Sequence, residues 1–179
     1  MLRELGTALV LAAVLGACSS DPAPATPPTA VAQGQGFVLA MAVPTDHFAA
    51  GQAIDVRTTL TWTGPDPTVA IWGSGSGPVI FLLEDLTGRR RMPGAAMTGD
   101  CAKRPYTRGV ATTIPFHKNG GWTSDDPDAS FFEEFFADPL LRLPAGRWRI
   151  TAELSGYLAP CDLNAPSVSL RAVLQVGVS

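Results

Sequence analysis

The stretch Ile54-Asp55-Val56-Arg57-Thr58-Thr59-Leu60-Thr61-Trp62 constrains this chain most. Ile54, Val56, Thr58, Leu60 and Trp62 alternate with Asp55, Arg57, Thr59 and Thr61. A period of two puts successive side chains on opposite faces of an extended strand, so one face is set for a core and the other for water. A helix would scatter the same residues around its axis. The pattern recurs in Arg147 to Leu154, where Trp148, Ile150, Ala152 and Leu154 share a face. It recurs again in Val168 to Val178, through Val168, Leu170, Ala172, Leu174 and Val176. Three half-buried strands with polar outer faces call for antiparallel sheets packed on one side.

Between these strands the chain is punctuated by turn residues. Phe37 to Val43 reads as a strand ended by Pro44, Thr68 to Trp72 as another, and Val79 to Leu86 as one buried on parts of both faces. Arg89 to Met92 and Leu140 to Leu143 read as short strands, and Thr107 to Phe116 alternates weakly through Val110, Thr112, Ile114 and Phe116. Pro93 to Arg104 reads as irregular. Asn119-Gly120 is a turn signal. One segment breaks the β pattern. Phe131, Phe132, Phe135 and Phe136 recur at helical spacing with Glu133 and Glu134 opposite, and Asp126 followed by Pro127 suits a helix start. The expectation is an all-β chain, an antiparallel Ig-like β-sandwich of seven or eight strands with one short helix.

The first residues are of another kind. Met1 to Glu4 carries Arg3 and Glu4, and an apolar run from Leu5 to Leu15 follows. That run suits a secretory signal and falls short of the roughly 20 apolar residues of a spanning helix. It ends in Leu15-Gly16-Ala17-Cys18, and this order resembles the processing box of bacterial lipoproteins: an aliphatic residue, two small residues, then cysteine. The resemblance implies cleavage before Cys18, a diacylglycerol on its sulfur, and a membrane-held protein facing the extracytoplasmic side. The expected division is a signal peptide over 1–17, the lipid-attachment cysteine with a Pro-rich disordered linker over 18–36, and the β domain over 37–179. Pro22, Pro24, Pro27 and Pro28 favour an extended spacer in the linker.

The chain has three cysteines. With Cys18 given to lipid, Cys101 and Cys161 remain as an even pair in an exported domain, which reads as a disulfide. Neither has a histidine or a second cysteine at metal-ligand spacing. The Leu143-Pro144-Ala145-Gly146-Arg147-Trp148 turn and strand are similar to those of bacterial Ig-like modules. Together with the Ala50-Gly51-Gln52 lead-in, they also resemble a proteinase-inhibitor-like sandwich family. Those resemblances imply fold rather than activity.

The formal net charge is −3, with no basic stripe beyond Arg89-Arg90-Arg91, which argues against nucleic acid as a partner. Gly73 to Gly77 lacks the lysine and the following helix of a phosphate loop. His47 and His117 read as loop residues with no local partner for a Ser-His-Asp arrangement. Asp125, Asp126 and Asp128 lack the spacing of a calcium loop and read as helix-start acids. No cofactor, metal or catalytic residue is therefore expected. Phe131, Phe132, Phe135 and Phe136 are either a core stripe or a contact for a protein or cell-envelope partner. The function expected is a non-catalytic binding or structural module, with recognition in the loops Gly73 to Pro78 and Met92 to Arg104. The alternatives are a proteinase inhibitor and, behind it, a hydrolase.

Overall fold

The computed structural model describes residues 26–162 and 164–179. The expectations for 1–17 and for Cys18 fall outside the described residues. The fold is mostly β, built from two sheets and one short helix. The strands are β1 (Thr29–Gly34), β2 (Phe37–Ala42), β3 (His47–Phe48), β4 (Arg57–Trp62), β5 (Thr68–Gly73), β6 (Val79–Asp85), β7 (Ala102–Thr107), β8 (Ala111–Ile114), β9 (Gly146–Tyr157) and β10 (Ser167–Val178), with α1 (Ala129–Ala137) between β8 and β9.

One sheet has the order β1-β2-β4-β8, antiparallel throughout. The other runs β3-β10-β9-β5-β7, and β6 also pairs with β9. There β6 lies along β9 from Val79↔Leu154 to Asp85↔Trp148, while β5 meets β9 at Trp72↔Tyr157. So β5 and β6 occupy one edge of β9 in succession. The pairing of β3 with β10 is parallel and the rest are antiparallel. β9 and β10 pair over twelve residues, from Ser167↔Tyr157 to Val178↔Gly146, and form the spine.

The alternating faces meet in one core. Phe37, Leu39, Met41, Leu60 and Trp62 from the first sheet share it with Ile71, Phe81, Trp148, Ile150, Leu154 and Val176 from the second. Trp148 is fully buried, and its indole N–H donates to Pro144 O at 3.0 Å, so its one polar atom is satisfied. Buried side chains of this size each withdraw about 2 kcal/mol of apolar surface from water.

Several expectations are corrected. β1 lies inside the stretch read as linker, so ordered structure begins before Phe37. The β1–β2 turn is the two-residue Gln35-Gly36, at φ 50° and 77°, which is the positive-φ pair that a tight hairpin requires. The Gln35 amide then joins the sheets: Nε2 donates to Ser167 O at 2.6 Å, and Oε1 accepts from Ser169 N at 3.0 Å. Arg89 to Met92 forms no strand. Leu140 to Leu143 holds a single bridge, Ala53↔Arg142, because its backbone serves the turn at Gly51 and Ile54 rather than a ladder. β7 arises where the sequence reads as irregular, and no hairpin forms at Asn119-Gly120. The described residues hold ten strands, where seven or eight were expected.

Helix α1 forms where the phenylalanine spacing places it, but Asp126 does not cap it. Its Oδ2 accepts from Thr123 N at 2.8 Å in the preceding turn, and Asp128 is the N-cap without a side-chain cap bond. The other end is held by Lys118. Its ammonium donates to Phe135 O and, at 2.6 Å, to Asp138 O, and lies 4.0 Å from the centre of the Phe135 ring. A cation on the last carbonyls complements the helix dipole. Burial lowers the Lys118 pKa, against the raising effect of Asp138.

Candidate functional site

β7 and β8 are consecutive in the chain, joined through a turn in which Val110 N bonds Thr107 O at 3.1 Å. Yet they belong to different sheets. β7 pairs with β5 and β8 with β4, and each is the last strand of its sheet. The two therefore splay apart, and a groove of about 440 Å³ opens between them. That is a volume suited to a small ligand or a short segment of chain. Its walls include Val79, Tyr106 and Ile114, and Lys103, Arg104 and His117 bring cationic or protonatable groups to it.

One rim is a braced loop. Gly73 to Pro78, which joins β5 to β6, is stitched to Thr98 and Asp100. Ser74 Oγ and Thr98 Oγ1 are 2.9 Å apart, and Thr98 N donates to Ser74 Oγ at 3.1 Å. Gly75 N donates to both Thr98 Oγ1 and Asp100 Oδ1 at 3.0 Å. The Thr98 hydroxyl, then the Gly75 N–H, hold the Asp100 carboxyl below its ordinary pKa. Arg104 Nη2 donates to Gly75 O, so a residue of β7 is fastened to the same loop. The two loops read as recognition elements thus form one hydroxyl-rich hub. Cys101 and Cys161 are paired as a disulfide beside it, with Cα atoms 5.8 Å apart.

Tyr106 is 4% exposed and meets the Phe37 ring edge-on, with centroids 6.0 Å apart. Burial raises the phenol pKa, and Arg104 pulls it partly back. A folded pKa above the unfolded one means that this stability is present below the unfolded value of about 10 and is lost as pH rises through the folded value. Alkaline unfolding should therefore steepen above about pH 10, and Tyr106→Phe should remove that part of the slope. Equal slopes in parent and variant, followed by tryptophan fluorescence, would contradict the assignment.

The two histidines are placed differently. His47 is not in a loop as the sequence reads: it is the exposed first residue of β3, where its Nδ1 pairs with Asp46 at 2.9 Å, and that bond lowers the Asp46 pKa. His117 lines the groove, as does Ser76. His117 Nδ1 faces Pro115 O at 3.2 Å; a carbonyl can only accept, so Nδ1 carries the proton. Ser76 Oγ is engaged by Ser74 Oγ at 3.2 Å and Thr98 Oγ1 at 3.4 Å.

The phenylalanine stripe faces mainly inward. Phe132 and Phe135 are buried; Phe131 and Phe136 are half-buried and packed on the core. Arg90 covers Phe131, 4.6 Å from the ring centre, and reaches Asp128 at 3.9 Å. What remains for a partner is the outer part of Phe131 and Phe136. Asp125 accepts from Ser124 at 3.4 Å, and among the described residues no three His, Cys, Asp or Glu side chains gather as a metal site. A second hollow is lined by Thr58, Ile114, Pro139 and Leu141, and among the described residues the buried Thr58 hydroxyl has no partner. Among the described residues no helix is long and apolar enough to cross a membrane.

Arg104 and Tyr106 were hidden in the sequence by Pro105 between them, which argues against a strand in a central position but is tolerated at an edge. No family model matches the chain, and comparison with characterised proteins and with solved structures finds no significant match.

Proposed function

We propose that this chain is a lipid-anchored, extracytoplasmic lipoprotein whose domain is a non-catalytic Ig-like β-sandwich, and that it serves as a binding module with the β7–β8 groove as its recognition surface. The observation that carries most weight is the partition of the cysteines. Of three, Cys101 and Cys161 are spent on each other. Cys18 is left as the thiol open to acylation, and it stands in the lipoprotein order Leu15-Gly16-Ala17-Cys18. Two or three acyl chains hold a protein at a bilayer far better than one. The Pro-rich residues before β1 then set the domain off the surface.

The sandwich reading draws support from two sheets whose inner faces share one core. The non-catalytic reading draws support from the histidine geometry. His47 is held by its chain neighbour Asp46 at the exposed start of β3, and the ring of His117 is oriented by a carbonyl, which cannot stabilise an imidazolium as a carboxylate does.

Cys18→Ser is expected to abolish labelling by radioactive palmitate and to release the protein from the membrane fraction. A variant that still labels, or that sediments with membranes like the parent, would overturn the anchor.

A further inference from the structure

The β7–β8 groove has two properties that together specify an occupant. The first is its edges. Among the described residues β8 is paired on one side only, and its four residues, Ala111 to Ile114, include no proline and no charge. Natural sheets guard a free edge with such residues. β7, across the groove, is guarded by Lys103, Arg104 and Pro105. β8 therefore offers about 13 Å of unguarded backbone to a further strand. The second property is charge. Lys103, Arg104 and His117 line the groove and no Asp or Glu does, although the chain carries 16 acidic residues to 13 Lys and Arg. Among the described residues the buried Arg104 Nε has no acceptor, a costly state for a charged donor.

We propose that the groove binds an extended peptide strand bearing a carboxylate side chain. The strand adds to the free edge of β8 through backbone hydrogen bonds, and its carboxylate accepts from Arg104. Main-chain pairing gives such a complex affinity, and alternate side chains give it selectivity. Here one peptide face meets Ile114, over the buried floor formed by Val79 and Tyr106, and the carboxylate accepts from the guanidinium of Arg104, which lines the groove. This inference rests on the reading of the groove as the recognition surface; it does not rest on the lipid anchor.

The test is an anisotropy titration of the detergent-solubilised full chain with a labelled peptide of alternating threonine and valine carrying one central glutamate. A second peptide has glutamine in its place. The glutamate peptide is expected to bind about tenfold more tightly, a usual effect of charge on a hydrogen bond. Its advantage should shrink as salt rises. The comparison lies in the ligand, so it does not depend on a variant folding. Arg104→Gln should then bring the two peptides to equal affinity.

N-methylation of alternate amides of the glutamate peptide tests the pairing. One register should abolish binding and the other should leave it intact, because only every second residue of an added strand bonds to β8. Equal affinities for glutamate and glutamine would overturn the carboxylate. Undiminished binding in both methylated registers would overturn strand addition. Failure of both peptides, with the chain self-associating through β8 as concentration rises, would assign the edge to a second copy. In each case intact palmitate labelling of Cys18 separates failure here from failure of the anchor.

Discussion

Removing the Cys101–Cys161 disulfide should cost this domain about 4 kcal/mol in the chain-entropy model, the value for a closed loop of this size. The bridge spans a sequence separation of 60 residues, which includes β7, β8, α1 and β9. Without it the unfolded chain regains the freedom of that whole loop. For a domain of this length each kcal/mol moves the melting temperature by roughly 2–4 °C, so the double variant Cys101→Ser with Cys161→Ser should melt about 8–16 °C lower. Calorimetry of parent and variant at equal concentration measures it.

A second effect should be local. Cys101 follows Asp100, whose carboxylate accepts from Gly75 N, and Thr98 holds Ser74. The bridge thus fixes the strand end from which the hub at the groove rim is tied. Loosening it should speed hydrogen exchange at Gly75 and Ser76 while leaving β9 and β10 amides protected below the melting point. A melting temperature within about 2 °C of the parent would mean that the unfolded ensemble gains little from the cut. Exchange unchanged at Gly75 would detach the hub from the bridge.

How much of this was legible depends on what each strand buries. β9 and β10 were readable because each has one inner face of large apolar residues and one outer face of charged or hydroxyl residues. β1 has the reverse contrast. Ala30 and Ala32 pack inward, while Val31 is 54% exposed, so its hydrophobic pattern points the wrong way and the prolines before it dominate the reading. β7 fails for a different reason. Its inward residues are Arg104 and Tyr106, and a guanidinium is not read as part of a core until Gly75 O is known to face it. The helix was legible from the phenylalanines but its start was not, since Asp126 has a use inside its own turn. The groove was not legible at all. It is the gap between neighbours in sequence that pair with different sheets, and that choice is made by β4 and β5, not by any motif in β7 or β8.

The other large effect should come from the glycines around Trp62. The indole is buried, and its Nε1 donates to Asp66 O at 2.9 Å, which fixes the ring plane. Phe37 packs on it with centroids 4.8 Å apart. A Cβ on Gly36 would fall inside contact distance of Trp62 Cζ3, and one on Gly64 inside contact distance of Cη2 and Cζ2. The ring is held on both sides by backbone that carries no side chain. Gly64→Ala should therefore cost about 3 kcal/mol, the upper end for overpacking a core, since an aromatic ring tied by its N–H cannot swing aside. Gly36→Ala adds the left-handed backbone penalty of about 1 kcal/mol, because Gly36 sits at φ 77°. Gly51 is the control. It has φ 72° but open space around it, so Gly51→Ala should show the backbone penalty alone. The decisive measurement is the double-mutant cycle with Trp62→Leu. In that background Gly64→Ala should lose most of its cost, giving a coupling of about 2 kcal/mol. Additive effects would show that Gly64 acts through its own turn, and the two-sided hold on the indole would have to be abandoned.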